Sequence, residues 1–338
     1  MMNFTVCTEF SEDLRADWNV LLTESVTHVP FLRFEYLVSW WQTRGGGEWP
    51  QAELAIITAY DGERLAGIAP LFQAQSAQGQ PALYLLGSIA ISDYLDIIVR
   101  PADLDAFVSG LLAFLPQSGL AGWRTLDLYN LLDSSATLGA LERAAQAAGW
   151  QINQTQLQHS PHVPLPGDWE AYLANIDKKQ RHEIRRKMRR FESAEVPTRW
   201  YIVSDGSQLA AEMDAFIALM DQDEEKAAFL TETMRAALHG VARVAFEQGF
   251  LQLAFLEVDG KKAAAYFSFD YLNKIWVYNS GFDRNSLEYS PGWVLLGYLL
   301  QWANEHGRQE FDFMRGDEEY KYRFGAVDRF VMRATLQA

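Results

Sequence analysis

FDFMRGDEEYKYRFGA, residues 311–326, decides how the rest of the chain is read. Its opening residues alternate as a strand does, which predicts a strand over 310–314. An Arg315-Gly316 step follows, then Asp317, Glu318 and Glu319, then Tyr320, Lys321 and Arg323. Glycine tolerates positive φ, so the chain can turn sharply at the strand end and aim Arg315 across it. Lys321 and Arg323 lie two apart and share a face if the segment is extended. With Arg315 they suit a phosphate or a carboxylate. The competing reading is a salt-bridged structural turn in which the three acids pair with the cations.

Upstream, PGWVLLGYLLQWANEHG reads as a helix, with proline at its first turn and Gly307 just past its end. Ser290-Pro291-Gly292 opens it. Free N–H groups and the positive dipole end make Ser290 and Gly292 candidates for anion binding, beside the plainer role of capping. Before it, residues 251–283 predict three strands, joined at Asp259-Gly260 and near Asn273. Residues 209–220 and 226–248 read as helices, and 327–335 as a last strand.

DKKQRHEIRRKMRRFE (177–192) is a basic helix with eight Lys/Arg between Lys178 and Arg190. Asp177 with Gln180 three residues on resembles a capping box. Ile184, Met188 and Phe191 form its inward stripe. Arg181 and Arg185 flank that stripe, so they are half-buried cations suited to a phosphate-bearing ligand. Arg186 and Arg190 lie on the far side. A solvated charged face is the alternative.

The first half has the same rhythm. Helices are expected at 12–24, 31–44, 103–116 and 135–149, with a hairpin about Asp61-Gly62 and strands near 82–88, 94–99 and 125–131. Asp93 and Asp96 sit among apolar strand residues and are candidates to bind an acceptor amine; turn chemistry also accounts for Asp93. Residues 156–168, with three prolines, separate the halves. The expectation is an α/β (α+β) chain of two domains, 1–160 and 161–338, each a mixed, largely antiparallel sheet flanked by helices. No residue-level repeat relates them.

The bulk numbers bound the function. A length of 338 residues suits about two domains. A net charge of −15 argues against a surface built throughout for nucleic acid, which makes the basic helix more informative. The single cysteine, Cys7, excludes an internal disulfide and a cysteine metal cluster, and the scattered histidines support no metal. The longest apolar run, near 293–303, is too short to span a bilayer, and the N-terminus lacks a signal-peptide pattern. A cytoplasmic protein is expected.

Residues 288–326, EYSPGWVLLGYLLQWANEHGRQEFDFMRGDEEYKYRFGA, resemble the C-terminal signature of the CelD-like, FemAB-like branch of the GNAT acyltransferase superfamily. The basic helix resembles the segment that heads that branch's second domain. RLAGIAPLF (64–72) and DYLD (93–96) are similar to its first-domain signatures. The resemblance implies two tandem GNAT-like domains and transfer of an acyl group to an amine of a small or nucleotide-linked acceptor, in cell-envelope or polysaccharide synthesis. It implies acyl-CoA as co-substrate, or aminoacyl-tRNA as in Fem-type peptidyltransferases, with a non-catalytic module binding an anionic glycan or lipid intermediate as the third reading. Where a GNAT pyrophosphate loop belongs, this chain carries NSLEYSPG. By resemblance, Lys321 takes the place of the Fem-type reaction-centre lysine. Tyr320 lies where many GNAT enzymes keep a general-acid tyrosine, with Asp317 beside it. Arg181, Arg185, Arg315 and Arg323 would face the substrate's phosphates.

Overall fold

The strands in chain order are β1 (Asn3–Cys7), β2 (Glu53–Leu54), β3 (Ile56–Asp61), β4 (Arg64–Ala69), β5 (Leu71–Gln75), β6 (Pro81–Leu85), β7 (Ile98–Val99), β8 (Thr125–Leu132), β9 (Gln151–His159), β10 (His162–Pro164), β11 (Thr198–Ile202), β12 (Leu251–Val258), β13 (Lys261–Tyr271), β14 (Lys274–Phe282), β15 (Glu310–Asp312) and β16 (Phe330–Gln337). The structure, a computed structural model, describes residues 2–76 and 78–338. The chain up to Gln158 forms one unit together with Phe330–Ala338, and His159–Arg329 form the other. The chain passes from one unit to the other at 158/159, and its tail from Phe330 belongs to the first unit rather than the second. β16 pairs antiparallel with β8 and completes the first unit's sheet. The proline-rich stretch 156–168 contains this crossing, at the end of β9 and ahead of β10.

The first unit holds two sheets where one was expected. One has the order β1-β3-β4-β7, the other β2-β5-β6-β8-β16-β9. The physical cause of the split is Pro70. It has no N–H to continue the β4 ladder, so the run from Arg64 passes from the first sheet to the second at that residue. Its carbonyl instead accepts Leu86 N–H at 2.7 Å.

The second unit is one six-stranded sheet, β10-β15-β14-β13-β12-β11. Two tight hairpins build its centre. Asp259 and Gly260 both have positive φ, as do Leu272 and Asn273, which is the geometry a two-residue hairpin loop needs. β14 and β15 run parallel, and the helix Pro291–Glu305 makes the crossover between them. That helix and the basic helix Lys178–Glu192 pack on the same hydrophobic core, to which the basic helix gives Ile184, Met188 and Phe191 as its stripe predicts. Asp177 caps it, accepting from Lys179 and Gln180 N–H. The expected helix over 226–248 is two helices, Glu224–Phe229 and Glu232–Glu247. Leu230 closes the first, and Thr231 caps the second by accepting Met234 N–H.

Helix Leu209–Met220 seats directly on β14. A methyl at Gly281 would stand 2.7 Å from the backbone carbon of Leu219 and 2.7 Å from Met220 N. Backbone cannot move aside as a side-chain tip can, so Gly281→Ala is expected to lower stability by about 1–3 kcal/mol. The urea midpoint measures it. An unchanged midpoint would mean that this helix does not rest on β14.

Candidate active site

The site is built where two parallel strands part. β14 pairs with β15 only at Lys274↔Glu310, Ile275↔Phe311 and Trp276↔Asp312. β14 then runs on to Phe282, while the chain leaving β15 turns away. Phe313 N–H donates to Pro161 O at 3.0 Å, and Met314 takes φ of 61° with its N–H on Asp312 Oδ1 at 2.8 Å. Asp312 is fully buried and ion-paired with Arg329. That buried pair fixes the point of divergence. β14 also carries one extra residue, Tyr278, against β13, a bulge that bends the strand.

Side chains from four elements meet at this opening. Tyr266 of β13 is buried and donates to Gly292 O at 3.5 Å, which ties β13 to the first turn of the Pro291 helix. Ser290 sits in the left-handed region with no side-chain cap bond, and its carbonyl takes Val294 N–H at 3.0 Å. Tyr320 packs edge-on to Phe313, with ring centroids 6.0 Å apart. Burial pushes both phenols, Tyr266 and Tyr320, far above the ordinary tyrosine range, and the charge of Glu318 pushes the same way. Both therefore stay protonated at neutral pH and act as donors. Lys226, from helix Glu224–Phe229, reaches in and donates to Ser280 O at 2.5 Å.

The segment after Gly316 is not extended. Glu319–Arg323 is a helical turn, so Lys321 and Arg323 point to different sides. Lys321 is 2% exposed. Its ammonium donates to the carbonyls of Arg315 at 2.9 Å, Gly316 at 3.0 Å and Met314 at 3.4 Å, and pairs with Glu318 at 2.8 Å. Gly316 has φ of 109°, a conformation that favours glycine; a Cβ there would also press on the Glu318 carboxylate, 2.5 Å from Oε2, which would have to shift. Arg323 is exposed and pairs with Glu319 one turn back. The expected trio of Arg315, Lys321 and Arg323 is thus not a cation cluster. Arg315 gives its carbonyl to Lys321, and Asp317 stands exposed on the same loop.

The basic helix is placed differently from its wheel reading in one respect. Arg181 donates to the carbonyls of Leu173 at 3.4 Å and Ala174 at 3.5 Å, at the end of helix Trp169–Asn175, and Arg185 pairs with Glu170 of that helix. Arg186 is exposed and pairs with Glu183, and Arg190 is exposed. The side chain that reaches the Pro291 helix is Lys187, whose ammonium lies 4.4 Å from the Trp293 ring centroid. Burial draws its pKa below the usual lysine range. Its position three residues after Ile184 was the available signal.

Asp96 and Asp93 lie in the first unit. Asp96 is fully buried. Its Oδ2 accepts Thr27 Oγ1 and Ser135 Oγ, each at 2.5 Å, and its Oδ1 accepts Ile97 N–H at 2.8 Å. A carboxylate so enclosed has no face for an acceptor amine; Asp96 is a structural tie. Asp93 is partly exposed. Tyr266, Lys226 and Lys187 were not legible as site residues, whereas the pairing of Glu318 with Lys321 is the one the salt-bridged-turn reading expected. Tyr266 sits in an apolar strand, and Lys226 follows two acids in what reads as an ordinary charged helix. Among the described residues, no group of His, Cys, Asp and Glu is arranged to hold a metal, and no helix is long and apolar enough to cross a membrane.

Residues 178–322 match the family model of the acetyltransferase (GNAT) domain. The crystal structure of FemX superimposes with a TM-score of 0.67 at 10% identity, covering 97% of this chain and 96% of that one. A conserved protein of unknown function from Bacteroides thetaiotaomicron VPI-5482 gives a TM-score of 0.63 at 14% identity, covering 99% and 100%. A tandem GNAT protein from the clavulanic acid biosynthesis pathway gives 0.53 at 14% identity, covering 99% and 98%. At these identities the likeness is one of fold. No curated protein matches the sequence.

Proposed function

We propose that this chain, whose residues 178–322 match the GNAT domain model and whose fold is similar to that of FemX and of a tandem GNAT protein, moves an acyl group to an amine of a small or nucleotide-linked acceptor, using the opening between β14 and β15. The observation that carries this reading is the meeting, at that opening, of two protonated tyrosines, Tyr266 and Tyr320, with the first turn of the Pro291 helix. Acyl transfer to an amine needs positioning, a donor for the developing oxyanion and a proton path, and no covalent nucleophile. Tyr320 supplies a proton donor to the leaving atom. The helix start supplies N–H groups and a positive dipole for an anionic substrate group.

Acyl-CoA is the donor proposed first, and aminoacyl-tRNA the alternative, which the NSLEYSPG segment in place of a glycine-rich loop favours. The test is to incubate the protein with amine acceptors and either donor and to weigh the products by mass spectrometry. An amide product is expected from one donor class; none from either would end the acyl-transfer reading.

The phosphate side is proposed to be held by Arg181, Arg185 and Lys187. Lys187→Ala and Arg185→Ala are each expected to raise the donor KM about tenfold or more, the value of a partly buried charged contact. Arg190→Ala, on the solvent side, is expected to change it less than about twofold and only at low salt. Equal, salt-sensitive losses in all three would mean a diffuse electrostatic face.

A further inference from the structure

The site holds two lysines in opposite condition. Lys321 is saturated: three carbonyls and Glu318 take its three N–H donors, and the ammonium pins the loop 314–318. It cannot be redirected to a substrate without dismantling that loop. Lys226 is different. Its hydrogen bond goes to one neutral carbonyl, that of Ser280 at 2.5 Å. The charged groups that act on it are Asp223 at the start of its own helix, Glu318 on the loop and Lys321 beyond it.

Ser280 lies on the part of β14 that has lost β15. The N–H and C=O of a strand residue project to one side, and here side chains engage both. Asn279 Oδ1 accepts Ser280 N–H at 2.8 Å, and Lys226 donates to Ser280 O. The backbone N–H that the parted strand would offer to a reacting carbonyl is therefore already occupied. The donor standing at that place is the Lys226 ammonium.

We propose that Lys226 is a catalytic residue of this site: its ammonium leaves the Ser280 carbonyl and receives the oxyanion that forms on the acyl carbonyl during transfer. This rests on the acyl-transfer reading above. In the step, the acceptor nitrogen bonds to the acyl carbon and the carbonyl π pair moves onto oxygen, where Lys226 stabilises it. The pair then returns, and the bond from carbon to the leaving sulfur or oxygen breaks. Only the free amine carries the attacking pair, so an acceptor that arrives as an ammonium first loses one proton to solvent; a second proton leaves the nitrogen after attack, and the leaving atom gains one. Exchange of a neutral acceptor for an anionic one makes the bond stronger in the transition state than in the ground state, which is what acceleration requires. The role needs a charged ammonium. Desolvation lowers the Lys226 pKa, so turnover is lost as pH rises through a value below the ordinary lysine range.

The experiment is steady-state transfer by the full chain, across pH, for the wild type, Lys226→Met and Lys226→Arg, with melting curves for each. Lys226→Met is expected to lower kcat about a hundredfold, the usual effect of losing one oxyanion donor, with KM within about twofold. Lys226→Arg keeps the charge and is expected to retain kcat within about tenfold of the wild type. The falling alkaline limb of the wild-type profile should disappear in Lys226→Met. A normal kcat in Lys226→Met, a change confined to KM, or equal losses in both variants with unchanged melting would overturn the assignment. So would a wild-type profile with no falling limb, a result that needs no variant to fold. If the wild type transfers nothing from either donor class, the acyl-transfer reading fails first and this inference with it.

Discussion

Lys321→Met is expected to weaken the fold and to abolish transfer together. Methionine keeps most of the stem's volume and removes the ammonium. The carbonyls of Met314, Arg315 and Gly316 then lose a shared donor, and Glu318 loses its cation, at a position only 2% exposed. A buried acceptor left unmade costs about 1–3 kcal/mol, and water will reach the outer carbonyls, so the net loss should be roughly 3 kcal/mol. The same loop leads into Tyr320, so its release also takes the proposed proton donor out of place. The measurements are the urea midpoint and product formation. Lost activity with an unchanged midpoint would mean that the ammonium serves substrate directly, the role the family resemblance implies. Normal values of both would show that loop 314–318 does not depend on it.

This residue also shows how far the sequence could be read. The motif at 311–326 supplies most of β15 and the loop that carries Lys321 and Tyr320, and the signals for β12, β13, β14 and the Pro291 helix were local: an Asp-Gly turn, a proline at a helix start, a glycine past a helix end. Local chemistry survives without tertiary context. The direction of a side chain does not. Lys321 turns inward because Gly316 and Met314 bring three carbonyls into a cradle and Glu319–Arg323 closes a helical turn, none of which period-two alternation can express. Lys187 was hidden for a related reason. A wheel ranks positions by angle to the apolar stripe, but which flank meets the Pro291 helix depends on how the two helices pack on the sheet. The tail was the largest architectural difference. β16 pairs with β8 across about two hundred residues of intervening chain, and no short-range pattern records such a partner.

Asp96 is expected to separate burial from charge when it is replaced in two ways. Its carboxyl joins Thr27, Ser135 and Ile97 in the interior of the first unit, and Ser135 at the same time caps the helix Ala136–Ala148. Desolvation raises its pKa above the ordinary aspartate value, against the hydrogen bonds it accepts, led by those from Ser135 and Thr27, which lower it. The sign follows from linkage. A carboxyl whose folded pKa is raised holds its proton in the native state after the unfolded chain has released it. Its contribution is then fully present below the unfolded pKa, near the ordinary aspartate value of about 4, and is lost as pH rises through the raised folded value. Asp96→Asn keeps the shape and removes the charge, and both hydroxyls can turn to accept from the amide. It should therefore gain on the wild type as pH rises, and equal or exceed it in stability at neutral pH. Asp96→Ala leaves two hydroxyls and one N–H without a partner in a closed space and should cost roughly 3 kcal/mol at every pH. Urea unfolding of the three proteins at acidic and mildly alkaline pH reads both effects. An asparagine variant that is less stable than the wild type by the same amount at both pH values would show that the ionised carboxylate is fully compensated by its partners, and that burial does not govern its titration.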